Sequence, residues 1–248
     1  TFKAEVEKLG KRISEDAQLK RRTLNIYNIT EPYIFYLGGL EANKNVDTLL
    51  RSFAKLIKKY PDLKLVIGGG EFKLGWDHKA VPLNERARAI YNLVQTLKLT
   101  HRVIFTGFID EKHLPLIYNY ARAFVHLSTN EGFGLNVIEP QLVGTPVVAA
   151  NKSSYPEVLG DSAILVDPED LEEVADSVDR IIRTDSEAVE LRKELTQKGK
   201  KNVSRFSWRK NSTETMFILN QAIDSREPSL SSSKSTSLSR SHTSEVKS

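Results

Sequence analysis

The sequence predicts an α/β protein with a doubly wound, mainly parallel sheet. Short apolar segments rich in β-branched and aromatic residues alternate six times with helical patterns along the chain. Consecutive strands are separated by helix-length segments, so their connections are crossovers, and crossovers join parallel strands. Helices are therefore expected on both faces of the sheet.

Each predicted strand is short and apolar and is followed by a turn or loop signal. The first follows Pro32 and ends at Gly38-Gly39, and its unbroken apolar run indicates burial on both faces. In chain order, the six predicted strands span residues 33–37, 63–67, 103–105, 121–127, 146–150 and 163–166.

Apolar residues recur at helical spacing in most segments between the strands. Residues 71–83, which include Trp76, Asp77 and His78, lack this spacing and are predicted to form a longer loop. A further helix is predicted to begin near Asn136, with Pro140 in its first turn. The other predicted helices span residues 1–22, 46–57, 85–97, 111–120, 155–158, 169–183, 187–203 and 207–223.

Composition limits the class of protein. Of the 248 residues, 40% are hydrophobic and 27% charged, which is ordinary for a globular protein. Cysteine is absent, which excludes disulfides and thiolate chemistry. No apolar run approaches the roughly 20 residues that span a bilayer, and no secretory signal opens the chain. We expect a cytoplasmic protein without metal-ligand spacing among its Asp, Glu and His residues.

The net charge of +4 is mild and its basic residues are dispersed. They lack the aromatic interleaving of nucleic-acid binders, so no nucleic-acid partner is predicted. Short basic clusters at residues 20–22 and 198–201 are interpreted as solvated helix faces. They leave open a peripheral contact with anionic headgroups at a membrane surface.

The most informative segment runs from Ser128 to Glu139, between the fourth strand and a helix. Open α/β sheets bind ligands at such positions. Glycines at 132 and 134 allow close backbone approach, and the free amides of the helix start favour an anion. Glu131 and Glu139 suit hydroxyl groups. A sugar nucleotide, which carries phosphate and hydroxyls, satisfies both features.

Two plainer interpretations remain for the carboxylates. Glu139 would close a capping box with Asn136, and Glu131 would be a solvated loop residue. However, Glu131-Gly132-Phe133-Gly134-Leu135, with Glu139 eight residues after Glu131, resembles the E-x7-E motif of the retaining, GT-B-fold glycosyltransferases of family 4.

Other segments resemble the same family. Residues 38–45 are similar to its G-R-L-x-x-x-K segment, with Lys44 at the lysine and Gly39 at the usual arginine. Residues 68–70 are similar to its I-x-G-x-G turn, and residues 144–148 to its G-T-P-V-V run. The resemblance covers roughly residues 28–222.

The resemblance implies a role for several residues in these segments. Glu131 and Lys44 are the implied catalytic residues, Glu131 on the donor sugar and Lys44 on the diphosphate. Glu139 would bind the ribose, and the loop at residues 107–109 would flank the nucleobase. The implied substrate-binding residues are Gly38, Gly39, Lys44, Gly107, Phe108, Ile109, Glu131, Gly132, Phe133, Gly134, Leu135, Asn136 and Glu139. No metal or cofactor is implied beyond the nucleotide diphosphate sugar.

The implied domain is the donor-binding, Rossmann-like C-terminal half of a GT-B fold, spanning residues 28–224. Residues 1–27 would form an interdomain hinge or helical linker, and the Ser-rich residues 225–248 a disordered tail. An N-terminal domain preceding Thr1 would bind the acceptor, a glycan or lipid-linked sugar. We therefore expect a fragment or processed product that binds donor without significant turnover by itself.

The implied reaction is hexosyl transfer (EC 2.4) to an acceptor hydroxyl with retention. Glycine at position 39, found in some members that resemble mannosyltransferases, favours GDP-mannose over a UDP-sugar. Two alternatives stay open: another GT-B enzyme, such as a sugar-nucleotide epimerase or a phosphorylase, and a non-catalytic Rossmann-like scaffold. The scaffold predicts that no nucleotide binds.

Overall fold

The structure, a computed structural model, describes residues 17–74 and 80–224. Its main sheet has six strands, all parallel, in the order β5-β2-β1-β6-β7-β8. The predicted sheet is thus confirmed. The strands of this sheet are β1 (Tyr33–Leu37), β2 (Lys64–Gly68), β5 (Val103–Gly107), β6 (Phe124–His126), β7 (Val147–Ala150) and β8 (Ile164–Val166). Two further strands, β3 (Phe72–Leu74) and β4 (Ala80–Pro82), form a separate two-stranded sheet.

The strand order reverses at the centre of the sheet. From β1 the chain adds β2 and β5 on one side, then returns to place β6 against the other side of β1. The register pairs Phe35 with Phe124. The loops after β1 and β6 both lie at this switch point, where open α/β sheets form a ligand crevice outside the carboxyl edge.

Helices pack on the sheet through the apolar stripes that predicted them. One buried core contains Leu49, Leu50 and Phe53 of α2 (Val46–Leu56) together with Val178 and Ile181 of α7 (Leu171–Ile182). Asn84, Asp170 and Asp185 cap α3, α7 and α8 with their side chains. The helices are α1 (Ala17–Ile26), α2 (Val46–Leu56), α3 (Glu85–Thr96), α4 (Leu114–Tyr120), α5 (Leu135–Leu142), α6 (Tyr155–Leu159), α7 (Leu171–Ile182), α8 (Ser186–Val203) and α9 (Trp208–Asp224).

The described residues divide into two units at Arg205. The first contains the sheet and α1 to α8. The second contains α9. The proposed hinge falls largely on residues 1–16, and the Ser-rich tail on residues 225–248, both outside the described residues.

Three sequence predictions about the elements were wrong. Residues 71–83 are not simply a loop, because β3 and β4 form an antiparallel hairpin with Phe72 opposite Pro82. The Phe72 ring stacks on Phe105 with centroids 3.9 Å apart, so the hairpin is held by core packing that local spacing does not reveal. The fourth strand is confined to residues 124–126, and Pro140 lies inside α5 rather than in its first turn.

Candidate functional site

Two loops meet at the switch point, the β1–α2 loop (residues 38–45) and the β6–α5 loop (residues 127–134). The Thr129 amide donates to the Asn43 carbonyl at 2.8 Å, and the Asn43 side chain donates to the Asn130 carbonyl at 3.2 Å. Lys44 Nζ lies 2.6 Å from Glu131 Oε1. The fold thus brings together the two predicted catalytic residues, which are far apart in the sequence.

The Lys44–Glu131 ion pair is only partly open to solvent, with side-chain exposures of 20% and 16%. Burial by itself raises the pKa of Glu131. Hydrogen bonds from Lys44 and Ser128, together with the positive charge of Lys44, outweigh this effect, so the pKa is lowered overall. Glu131 is therefore an ionised hydrogen-bond acceptor beside a cation at neutral pH.

The first turn of α5 faces the same crevice. Gly134 caps the helix with φ 85°, a left-handed conformation, and a Cβ there would lie 2.4 Å from Cε1 of Tyr155. The amides of Leu135 and Asn136 fall in the first turn, where no intrahelical carbonyl reaches them. This is the geometry that binds anions at helix starts.

The predicted capping box between Asn136 and Glu139 is wrong, because Gly134 and not Asn136 is the N-cap of α5. The Asn136 side chain instead donates to the Leu37 carbonyl at 3.3 Å and contacts Nε2 of His126 at 2.8 Å. Glu139 Oε2 accepts from the Tyr118 hydroxyl at 3.0 Å. Burial raises the pKa of Glu139, although the Tyr118 hydrogen bond opposes the shift.

The glycine turns extend the site along the carboxyl edge of the sheet. The Gly38 amide donates to Gly68 at 3.0 Å, and the Gly69 amide to Gly107 at 3.1 Å. A Cβ on Gly69 would lie 2.4 Å from the Gly38 carbonyl oxygen, so only glycine allows this approach. The Glu41 carboxylate covers Gly39, which places a negative charge where a side chain at position 39 would extend.

The predicted nucleobase loop separates into an exposed and a buried part. Phe108 is 76% exposed and lines an open cavity of about 370 Å³ together with Ile26, Lys73 and Leu83. Ile109 is buried, and its side chain packs against Gly68. Of the two apolar side chains predicted to flank a base, Phe108 is therefore the accessible one.

Sequence reasoning missed the residues that support the β6–α5 loop. Ser153 Oγ donates to the Glu131 carbonyl at 2.8 Å and accepts from the Glu131 amide at 3.1 Å. Ser154 Oγ donates to the Phe133 carbonyl at 3.2 Å. The pair Ser153-Ser154, directly before the Tyr-Pro start of α6, was the available signal, but loop serines are too common to identify a role.

Metal-ligand clusters and membrane-spanning helices are both absent from the described residues. Within residues 17–74 and 80–224, no three His, Cys, Asp or Glu side chains are grouped as a metal ion requires. No helix in that part of the chain is long and apolar enough to cross a membrane.

A six-stranded parallel sheet with a ligand crevice at its switch point defines a Rossmann-like domain of the kind that forms the C-terminal half of GT-B glycosyltransferases. The sequence profile of the family "Glycosyl transferases group 1" matches residues 19–202. The chain belongs to this family.

The chain is similar to part of several longer proteins and to one isolated domain. It is 30% identical over 188 residues to O-antigen chain mannosyltransferase B of Escherichia coli, covering 74% of this chain and 44% of that protein. The C-terminal domain of the group 1 family protein LpcC of Francisella tularensis superposes with a TM-score of 0.60 at 26% identity, covering 76% of this chain and 93% of that chain.

Another match shares only the fold. Anabaena HepE, solved with UDP and glucose, has a TM-score of 0.66 at 20% identity, covering 83% of this chain and 53% of that chain. The chain spans less than half of the length of the curated relatives it matches, such as the mannosyltransferase and the D-inositol 3-phosphate glycosyltransferase of Corynebacterium urealyticum, of which it covers 46%.

Proposed function

We propose that residues 28–224 bind the nucleotide diphosphate sugar of a retaining hexosyltransferase, with GDP-mannose as the favoured donor. One observation carries the proposal: a cation, an ionised carboxylate and a helix start converge on one crevice. Lys44 lies 2.6 Å from Glu131, and the loop bearing Glu131 leads directly into the first turn of α5. The mannosyltransferase relative supports the choice of sugar.

Each group has a distinct task in this proposal. Lys44 and the amides of Leu135 and Asn136 bind the diphosphate, Glu131 accepts hydrogen bonds from the sugar hydroxyls, and Glu139 accepts them from the ribose. During transfer the bond between the anomeric carbon and the diphosphate oxygen breaks, and its electron pair moves to the diphosphate. The cation and amides stabilise that added charge. The acceptor hydroxyl oxygen forms the new bond to the anomeric carbon and passes its proton to the departing diphosphate oxygen.

Donor binding rearranges the ion pair. Lys44 forms an ion pair with Glu131, so a diphosphate must compete with this carboxylate for the lysine. A bound sugar hydroxyl then replaces Lys44 as the partner of Glu131. The acceptor, a glycan or lipid-linked sugar, is proposed to bind in a further domain of the longer enzyme.

Calorimetric titration tests the proposal. The chain is titrated with GDP, UDP and ADP and with GDP-mannose and UDP-glucose, and Lys44→Ala and Glu139→Ala are compared with it. Lys55→Ala is the matched control, since Lys55 forms a similar ion pair with Glu172 away from the site. We expect selective binding of GDP and GDP-mannose that both site variants weaken about tenfold or more, the effect of losing a charge-assisted contact. Selective binding of a UDP-sugar would correct the donor, and no nucleotide binding up to millimolar concentration would favour the scaffold alternative.

A further inference from the structure

Beneath the crevice lies a buried histidine that the proposed chemistry does not use. His126, the last residue of β6, has 0% of its surface exposed. Both nitrogens of its ring nevertheless have polar partners. Nδ1 lies 2.7 Å from the Tyr155 hydroxyl, and Nε2 lies 2.8 Å from Nδ2 of Asn136.

The contacts of His126 reach every segment that lines the candidate diphosphate site. Its ring stacks on Tyr36 with centroids 5.2 Å apart and planes at 12°, and the Tyr36 hydroxyl donates to the Gly39 carbonyl at 2.5 Å. Through Asn136 it reaches the first turn of α5 and the Leu37 carbonyl. Tyr155, its third partner, packs beneath Gly134.

The hydrogen bonds determine where the histidine proton lies. Nδ2 of Asn136 carries only donors, and it also donates to the Leu37 carbonyl, which fixes the orientation of the amide. Nε2 of His126 must then accept, so the single ring proton of the neutral form lies on Nδ1 and points to the Tyr155 oxygen. A second proton, on Nε2, would face the amide hydrogens of Asn136.

We propose that His126 is a positioning residue: its neutral ring holds the first turn of α5 and the β1–α2 loop in the arrangement that binds the donor diphosphate. The role in donor binding depends on the proposed function, whereas the ordering of the loops does not.

The charges around the ring agree with a neutral histidine. Burial lowers the pKa of His126 to about 4, and Lys44 lowers it while Glu131 raises it. The other titratable groups against the ring, Tyr36 and Tyr155, have raised pKa values because they are buried, so they remain neutral hydroxyls. The ring is thus uncharged throughout the physiological range.

Hydrogen exchange of the unliganded chain tests the ordering role. Tyr155→Phe removes one hydroxyl bonded to His126, and Tyr33→Phe is the matched control, because it removes a buried hydroxyl that donates to Ile117 at the far end of β1. We expect amides of residues 131–137 to exchange about tenfold faster in Tyr155→Phe, as the loss of one buried hydrogen bond predicts, and at the wild-type rate in Tyr33→Phe. Equal exchange in the two variants would overturn the proposal.

Nucleotide binding separates this proposal from the proposed function. GDP should bind about tenfold more weakly to Tyr155→Phe, the same free-energy loss expressed in affinity, and within about twofold of wild type to Tyr33→Phe. If wild type binds neither GDP nor UDP, the proposed function fails, while hydrogen exchange still decides the ordering role. If GDP binds both variants equally, His126 does not position the donor site.

A pH titration gives a readout that packing alone would not produce. In NMR spectra, the amide signals of residues 134–137 should move with a midpoint near the His126 pKa of about 4. His126→Phe keeps the ring on Tyr36 and every nearby carboxylate, so only the histidine component should disappear. Signals that titrate identically in wild type and His126→Phe would contradict the proposal.

Discussion

Lys44 and Glu131 are bonded to each other across the crevice, with Nζ and Oε1 2.6 Å apart although the residues are 87 positions apart in the sequence. The cation expected to bind a diphosphate and the carboxylate expected to bind a sugar are thus paired with each other. An ion pair with this exposure is worth up to about 1 kcal/mol, so a ligand that contacts both partners can displace it.

Glu131→Gln is expected to raise the affinity for GDP and to lower the preference for GDP-mannose over GDP. It releases Lys44, so GDP should bind about threefold more tightly, the gain from freeing an ion pair of this strength. It also replaces an ionised acceptor by a weaker one, so the preference for GDP-mannose over GDP should fall. Calorimetry measures both constants. Glu172→Gln, which frees Lys55 away from the site, should change neither, and a uniform loss of affinity in Glu131→Gln would contradict the ion-pair account.

Glu139→Gln should stabilise the chain while weakening nucleotide binding. Burial raises the pKa of Glu139 above its value in the unfolded chain, so the favourable contribution of the protonated form is present below the unfolded pKa and is lost as pH rises through the folded pKa. At pH 7 the neutral glutamine avoids this loss and can still accept from Tyr118. The melting temperature of Glu139→Gln should exceed that of wild type at pH 7, and the difference should shrink as pH falls through the raised pKa of Glu139, where the wild-type side chain becomes neutral too.

The binding measurement completes that prediction. If Glu139 accepts hydrogen bonds from a ribose, GDP should bind Glu139→Gln about tenfold more weakly, the cost of a lost charge-assisted bond. A variant that is less stable than wild type at pH 7 would show that the burial of this carboxylate is not a net cost.

Gly134→Ala is expected to disrupt both the helix start and the site. The left-handed φ of 85° and the 2.4 Å approach to Tyr155 leave no room for a methyl group. We expect a loss of about 2–4 kcal/mol in the free energy of unfolding, from backbone strain and overpacking together, and no measurable GDP binding.

Gly160→Ala is the matched control, since φ is 53° there and no atom lies within 4 Å of the position that a Cβ would occupy. Because its ψ of −126° lies outside the left-handed helical region, the variant should lose about 1–3 kcal/mol from backbone strain alone, and it should bind GDP as wild type does. Urea denaturation and calorimetry measure the two quantities. If both alanine variants behave alike, the contact between Gly134 and Tyr155 has no special importance.

Phe108→Ala tests the nucleobase side of the site. The side chain is 76% exposed, so its removal should change the free energy of unfolding by no more than about 0.5 kcal/mol. If the ring stacks on the base, GDP affinity should fall about fivefold or more, the loss of a stacking contact worth about 1 kcal/mol. Pyrophosphate, which has no base, is the control ligand and should bind both proteins equally. An unchanged GDP affinity would place the base elsewhere.

Local patterns predicted much of the architecture. The apolar runs identified all six strands of the main sheet, and helical spacing identified α2, α3 and α7. These succeed because burial of one face imposes a period on the residues that form it. The β3–β4 hairpin was missed because its support is the ring of Phe105, which lies on a strand that comes later in the chain.

The motifs of this sequence determined by themselves the fold class, the family and the residues from Glu131 to Glu139 as the candidate site. Only the tertiary structure decided how those residues are paired: Lys44 with Glu131, Tyr118 with Glu139, and Asn136 with His126 rather than with Glu139. The physical reason is that a hydrogen bond depends on the position of two atoms to within tenths of an ångström. That position follows from strand order and helix packing, and no local period in the sequence carries this information.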